Sequence, residues 1–180
     1  KKSLLLILVL ALAASVPAQN VAAGAPKGAG PGGAVTVPLR FDHYYTLEQV
    51  YEAVQALAKA YPDMAKAEEV GKSEEGRPLY AVTLNNPKTG PALSKPGIYV
   101  DGNIHGNEIQ GAEVCLYTAW YLMENYGRLD DVTRLVNERV FYIIPTVNPD
   151  GRQYFMEAPS GVSARSGHGP VDDYVDRLGD

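Results

Sequence analysis

The chain has 180 residues, 46% apolar and 21% charged, with a net charge of −5, which suits one soluble domain with a buried core. Its acidic balance offers no basic field to attract nucleic acid or anionic lipid. Its only cysteine is Cys115. That excludes an internal disulfide framework and any multi-cysteine metal site, so a metal would have to be held by His and carboxylate.

At the front, Lys1 and Lys2, the apolar run Leu4 to Ala14 and the small-residue segment Val16-Pro17-Ala18 follow the order of a secretory signal peptide, with cleavage after Ala18. The apolar run is shorter than the roughly 20 residues that span a bilayer. Export is therefore expected, to a secreted or periplasmic location, with no stable membrane insertion after cleavage. Residues 19–38 are rich in Gly, Ala and Pro, lack apolar periodicity and read as a flexible leader. The folded part is expected over residues 39–180.

Thr46 can cap a helix, and Gln49 completes a capping box. Leu47, Val50, Tyr51, Val54, Leu57 and Ala58 then recur at helical spacing until Tyr61-Pro62 ends the run. Leu79 to Leu84 reads as a strand, introduced by the turn Glu75-Gly-Arg-Pro78 and closed by Asn85-Asn-Pro87. Ile98 to Val100 is a second short strand. A long helix from about Glu108 to Tyr126 carries Ile109, Ala112, Leu116, Ala119, Trp120 and Met123 on one face, with Gly127 as its C-terminal stop. A shorter helix over Val132 to Asn137 leads to Val140–Ile144, a strand apolar on both faces. Strands alternating with helices predict a three-layer α/β/α domain with a mostly parallel mixed sheet. In such sheets chemistry gathers beyond the carboxyl ends of the strands. His105 and Glu108 lie just past one predicted strand, and Asn148-Pro-Asp-Gly151 lies just past another.

A hydrolytic zinc ion takes three protein ligands, commonly imidazole nitrogen and carboxylate oxygen, and leaves one position for water. His105-Gly-Asn-Glu108 places such donors three apart on a tight bend entering a helix, where Gly106 allows unusual backbone angles and a close approach. The bare spacing is equally that of a satisfied loop histidine and a helix N-terminal carboxylate. Cys115 falls beside the apolar face of the long helix, as a buried, inert thiol.

The order of motifs resembles the zinc carboxypeptidases of the M14 type. His43-Tyr-Tyr-Thr-Leu-Glu48 matches the opening before the first helix, and Tyr61-Pro62 matches the helix end. Val70-Gly-Lys-Ser-Glu-Glu-Gly-Arg77, Asp101-Gly-Asn-Ile-His-Gly-Asn-Glu108 and Pro145-Thr-Val-Asn-Pro-Asp-Gly151 follow in the family's order. The match covers about residues 40 to 155, and order plus spacing is more specific than any single motif. The resemblance implies zinc as cofactor, a peptide or protein substrate, and a secreted metallocarboxypeptidase that cleaves at the C-terminus of peptides. It makes His105 and Glu108 the first two zinc ligands, with Asn107, Asn148 and Asp150 supporting the site. Arg165 matches the arginine that polarises the substrate carbonyl, although its surroundings depart from the family's pattern and a solvated surface arginine fits them equally well.

The family's Asn-Arg pair for the substrate carboxylate has no counterpart here. The third ligand and the catalytic Glu are expected beyond residue 180, so these residues form the N-terminal part of a catalytic domain and are expected to be inactive alone. His168 comes too early to be the third ligand, and His43 is read as structural. Asp172, Asp173, Asp176 and Asp180 form a solvated acidic loop or, less in keeping with the usual ligand order, a calcium loop. Two other functions stand beside the peptidase: a zinc-dependent deacylase of N-acyl amino acids from a related branch, and a secreted binding module that kept the fold without catalysis.

Overall fold

The structure is a computed structural model that describes residues 37–157. The signal segment, the leader up to residue 36, Arg165, His168 and the acidic stretch 172–180 lie outside the described residues. The chain runs α1 (Leu47–Ala60), β1 (Ala65–Lys72), β2 (Pro78–Leu84), β3 (Gly97–Asp101), α2 (Gln110–Asn125), α3 (Asp130–Glu138), β4 (Val140–Ile144) and α4 (Pro149–Glu157). Two short 3-10 turns occupy the β2–β3 connection.

Helix α1 forms as its sequence demands. The Thr46 hydroxyl accepts from the Gln49 amide (3.2 Å), and the Thr46 amide donates to the Gln49 side chain (2.8 Å). Val50, Val54 and Leu57 are buried on its inner face, and Tyr61 caps its end. The folded part takes in Val37, two residues ahead of the expected start. Val37 is buried, its amide donates to Glu124 (3.2 Å), and its carbonyl accepts from the Trp120 indole (3.0 Å).

The four strands form one mixed sheet in the order β1-β2-β4-β3. β3 and β4 pair in parallel, whereas β1–β2 and β2–β4 pair antiparallel. The sheet is thus mixed, as expected, and among the described strands one pairing of three is parallel. Strands β1 and β2 are joined by a hairpin: the Ser73 amide donates to Arg77 O (2.8 Å) and the Gly76 amide to Ser73 O (3.0 Å), with Gly76 at φ 82°. So short a connection can join only antiparallel neighbours.

Strand β1 was not expected. Most of its residues are exposed, it includes Lys66, Glu68, Glu69 and Lys72, and its register shifts between Glu69 and Gly71. Charges and a bulge are how an edge strand avoids pairing with other chains, and they also erase the apolar alternation that signals a strand.

Val82, Leu84, Phe141 and Ile143 face the core, where they meet α1, α2 and α3 through Val54, Leu57, Leu116, Ala119 and Val136. The inner residues expected of α2 (Ile109, Ala112, Leu116, Ala119, Trp120, Met123) are all buried. Among the described residues, no helix is long and apolar enough to cross a membrane.

Cys115 is buried in this core. Burial, helped by the Asp101 and Glu113 charges, pushes its thiol up to about 12. An unfolded thiol ionises near pH ~8.5, so between these values the folded chain holds a proton that the unfolded chain has lost. Stability is therefore expected to fall as pH rises above about 8.5, until the folded thiol ionises in turn. A thiol reagent at pH 8 is expected to label the native protein only as fast as it opens, and at once in denaturant. Rapid labelling of the native form would contradict this packing.

Candidate metal centre

The parallel ladder β3–β4 brings the two motifs together. Asp101 lies opposite Ile144, so both strands deliver their following loops to the same edge. The pairing continues past the strands: the Gly102 amide donates to Ile144 O (3.1 Å), and the Val147 amide donates to Gly102 O (3.1 Å). The loop Asn103–Ile109 and the start of α4 are therefore neighbours by construction.

Asn103 shapes the loop. It is buried and sits at φ 55°, a left-handed conformation that Asn tolerates better than most residues. Its amide nitrogen donates to His105 O (2.9 Å) and Gly106 O (3.3 Å). Its Oδ1 accepts from Thr146 Oγ1 (3.2 Å) and from the Arg152 guanidinium (3.3 Å). Asn107, expected to support the site, stands exposed on the loop. Gly106 is needed for space, not for an unusual angle. A Cβ on it would lie 2.6 Å from the Gly151 backbone, and its φ is not positive.

Helix α4 holds the loop from the other side. Asn148 caps the helix by accepting from the Gly151 amide (2.8 Å), with Pro149 in the first helical position, and its amide group donates to Ile104 O (3.2 Å). Asp150 turns the opposite way. Fully buried, it accepts from Ser73 Oγ (2.7 Å), the Glu75 amide (3.1 Å) and Arg77 Nη1 (2.7 Å), tying the β1–β2 turn to α4. Arg77 also pairs with Glu75 (2.5 Å), which accepts from the Tyr154 hydroxyl. Burial opposes the Arg77 charge, but its hydrogen bonds to Asp150 and Glu75 outweigh that and hold the guanidinium above its ordinary range. Beside this turn lies a cleft of about 230 Å³, lined by Ser73, Glu74, Ile104, Val147, Asn148 and Asp150.

On the loop itself, His105 Nδ1 and Glu108 Oε2 stand 3.0 Å apart, and the Glu108 amide donates to His105 O (3.0 Å) to close the bend. Glu108 precedes α2, which starts at Gln110. His105 is half-buried and Glu108 exposed, so the contact by itself is worth only about 0–1 kcal/mol. The pair also suits a metal. Two donors each about 2.0–2.1 Å from one tetrahedral zinc stand roughly 3.3 Å apart, and imidazole with carboxylate is a donor set zinc accepts. Among the described residues, no group of three His, Cys, Asp or Glu is placed to hold an ion. His43 pairs with Asp42 (2.9 Å) and packs against Tyr45.

Reading the sequence alone misses Asn103, Glu113 and Arg152. Arg152 is fully buried and pairs with Glu113 at 2.7 Å. Burial pulls its guanidinium below the ordinary value, opposed by the Glu113 charge. One signal was available: Glu113 sits four residues after Ile109 and three before Leu116, a charge on the apolar face of α2, where only a buried partner could satisfy it.

Comparison with known proteins agrees with these motifs. A family model described as zinc carboxypeptidase matches residues 50–172. Carboxypeptidase D of Drosophila melanogaster is 38% identical over 113 residues, covering 63% of this chain and 8% of that protein. Carboxypeptidase Z of Mus musculus is 32% identical over 132 residues, covering 73% of this chain and 20% of that protein. Among solved structures, carboxypeptidase A from Helicoverpa armigera superposes with a TM-score of 0.58 at 27% identity, over 70% of this chain and 30% of that one. The chain thus spans a fifth or less of the length of the two curated relatives and under a third of the solved enzyme. The matched segment contains the strand ends, the His105–Glu108 loop and the Asn148 turn, and on that basis the chain belongs to the zinc carboxypeptidase family.

Proposed function

We propose that this chain carries the first two of three metal ligands of an exported, zinc-dependent carboxypeptidase. The supporting observation is the 3.0 Å His105–Glu108 pair, on a loop fixed from both sides at the ends of two parallel strands. His105 and Glu108 would hold the ion, with the third ligand supplied from beyond residue 180. When bound, zinc supplies Lewis-acid polarisation of a carbonyl and makes water a nucleophile near neutral pH.

The chain's own residues supply position. Asn103 fixes the backbone of His105 and Gly106, and Asn148 fixes that of Ile104, so both donors meet an ion with little reorganisation. The cleft lined by Ser73, Ile104, Asn148 and Asp150 adjoins the loop through Ile104, and we assign the peptide to that side. Arg165, outside the described residues, is proposed to steady the carbonyl oxygen, and a Glu beyond residue 180 to move the proton. Export rests on the signal pattern of residues 1–18.

The test is an assay of the full-length protein on peptides with free C-termini, beside N-acyl amino acids. Release of the C-terminal residue, abolished by a chelator and restored by zinc, is expected. Cleavage of the N-acyl amino acids alone would replace this reading with the deacylase. Equal activity from residues 1–180 alone would contradict the placing of third ligand and base outside them.

A further inference from the structure

Arg152 has no part in the donor pair, yet it touches both ends of the loop that carries it. Nη1 donates to Asn103 Oδ1 (3.3 Å) at the loop's entry and to Ile109 O (2.7 Å) at its exit. Nη2 donates to Tyr45 O (2.6 Å) and to Glu113 Oε1 (2.7 Å), and that oxygen also accepts from the Tyr45 amide (2.8 Å). We propose that Arg152, held by Glu113, is a positioning residue for the metal loop: a buried clamp that sets the spacing of its ends and the orientation of Asn103.

The orientation follows from donor and acceptor chemistry. A guanidinium only donates, so the Asn103 oxygen must face Arg152 and Thr146. The Asn103 amide nitrogen must then face the loop, where it donates to the carbonyls of His105 and Gly106. Without a donor at Arg152, little would prevent the carboxamide from turning over and breaking those two bonds. Lysine could not substitute, since one ammonium on a flexible stem lacks the planar fork that reaches both loop ends. Nor is stability a sufficient reason for the pair. A buried ion pair commonly gives way to apolar residues without loss, and here Glu113 Oε2 and Arg152 Nε have no hydrogen-bond partner among the described residues. Two acceptors at opposite ends of one loop are what an apolar replacement could not serve.

The inference rests on His105 and Glu108 binding the ion, so its test separates the two claims. Full-length protein bearing Arg152→Met with Glu113→Gln leaves no buried charge unpaired. Arg152→Lys keeps the charge and repeats the test if the double variant does not fold. Zinc affinity, by competition with a chromophoric chelator, is expected to fall about 10- to 100-fold in either variant, the usual effect of losing an outer-shell partner. In the metal-free protein, exchange of the Glu108 and Gly111 amides, which donate to His105 O and Glu108 O, is expected to quicken by at least about 10-fold. Wild-type zinc affinity in a folded variant would overturn the proposal, as would weaker zinc binding with unchanged exchange. If His105→Ala leaves zinc binding intact, the metal assignment fails instead, and exchange still decides whether Arg152 holds the loop.

Discussion

Arg152→Met alone is expected to destabilise the protein by about 3–5 kcal/mol, the usual penalty for stripping one partner from a buried ion pair. The carboxylate left behind, on Glu113, is almost wholly buried within the apolar face of α2. It would keep the Tyr45 amide and lose the Arg152 guanidinium. Adding Glu113→Gln is expected to recover most of the loss. The carboxamide oxygen can still accept from the Tyr45 amide, and no charge remains inside. Denaturant unfolding of the two single variants and the double gives the coupling directly. Against a total stability of about 5–15 kcal/mol, the single loss is large. Strictly additive effects would mean that the two side chains do not depend on each other as their 2.7 Å contact requires.

Gly106→Ala is the second substitution with a large expected effect. The new methyl would lie 2.6 Å from both Cα and C of Gly151 and 2.7 Å from its oxygen, all backbone at the capped start of α4. Neither side can yield by changing a rotamer. Overpacking of this kind costs about 1–3 kcal/mol and often more where only backbone can move. The loop would have to lift away from α4, loosening the Asn148–Ile104 bond and weakening zinc binding along with stability. Gly71→Ala is the matched control, because a Cβ there meets nothing within 4 Å, and its effect should stay within about 0.5 kcal/mol. Equal behaviour of the two variants in thermal unfolding would contradict the close packing of loop and helix.

These two sites mark the boundary of what the sequence reveals. Helix α1 is legible because its capping box and apolar face are local signals. The ends of β2, β3 and β4 fall within about two residues of expectation because Pro, Gly and Asn bracket them. The approach of His105 to Glu108 is legible too, since both stand on one short bend past a strand, but their spacing equally fits a loop histidine and a helix N-terminal carboxylate. Strand β1 is not, since its charged residues become a strand only by pairing with β2. Asn103 and Arg152 are hidden for a related reason. What each does depends on partners 39 to 107 residues away, which only the folded chain brings to one place.

The central claim, that His105 and Glu108 begin a zinc site, is tested most directly by the zinc content of the full-length protein beside that of His105→Ala. About one zinc per chain in the wild type and almost none in the folded variant is the predicted result. Equal zinc in both would remove the claim.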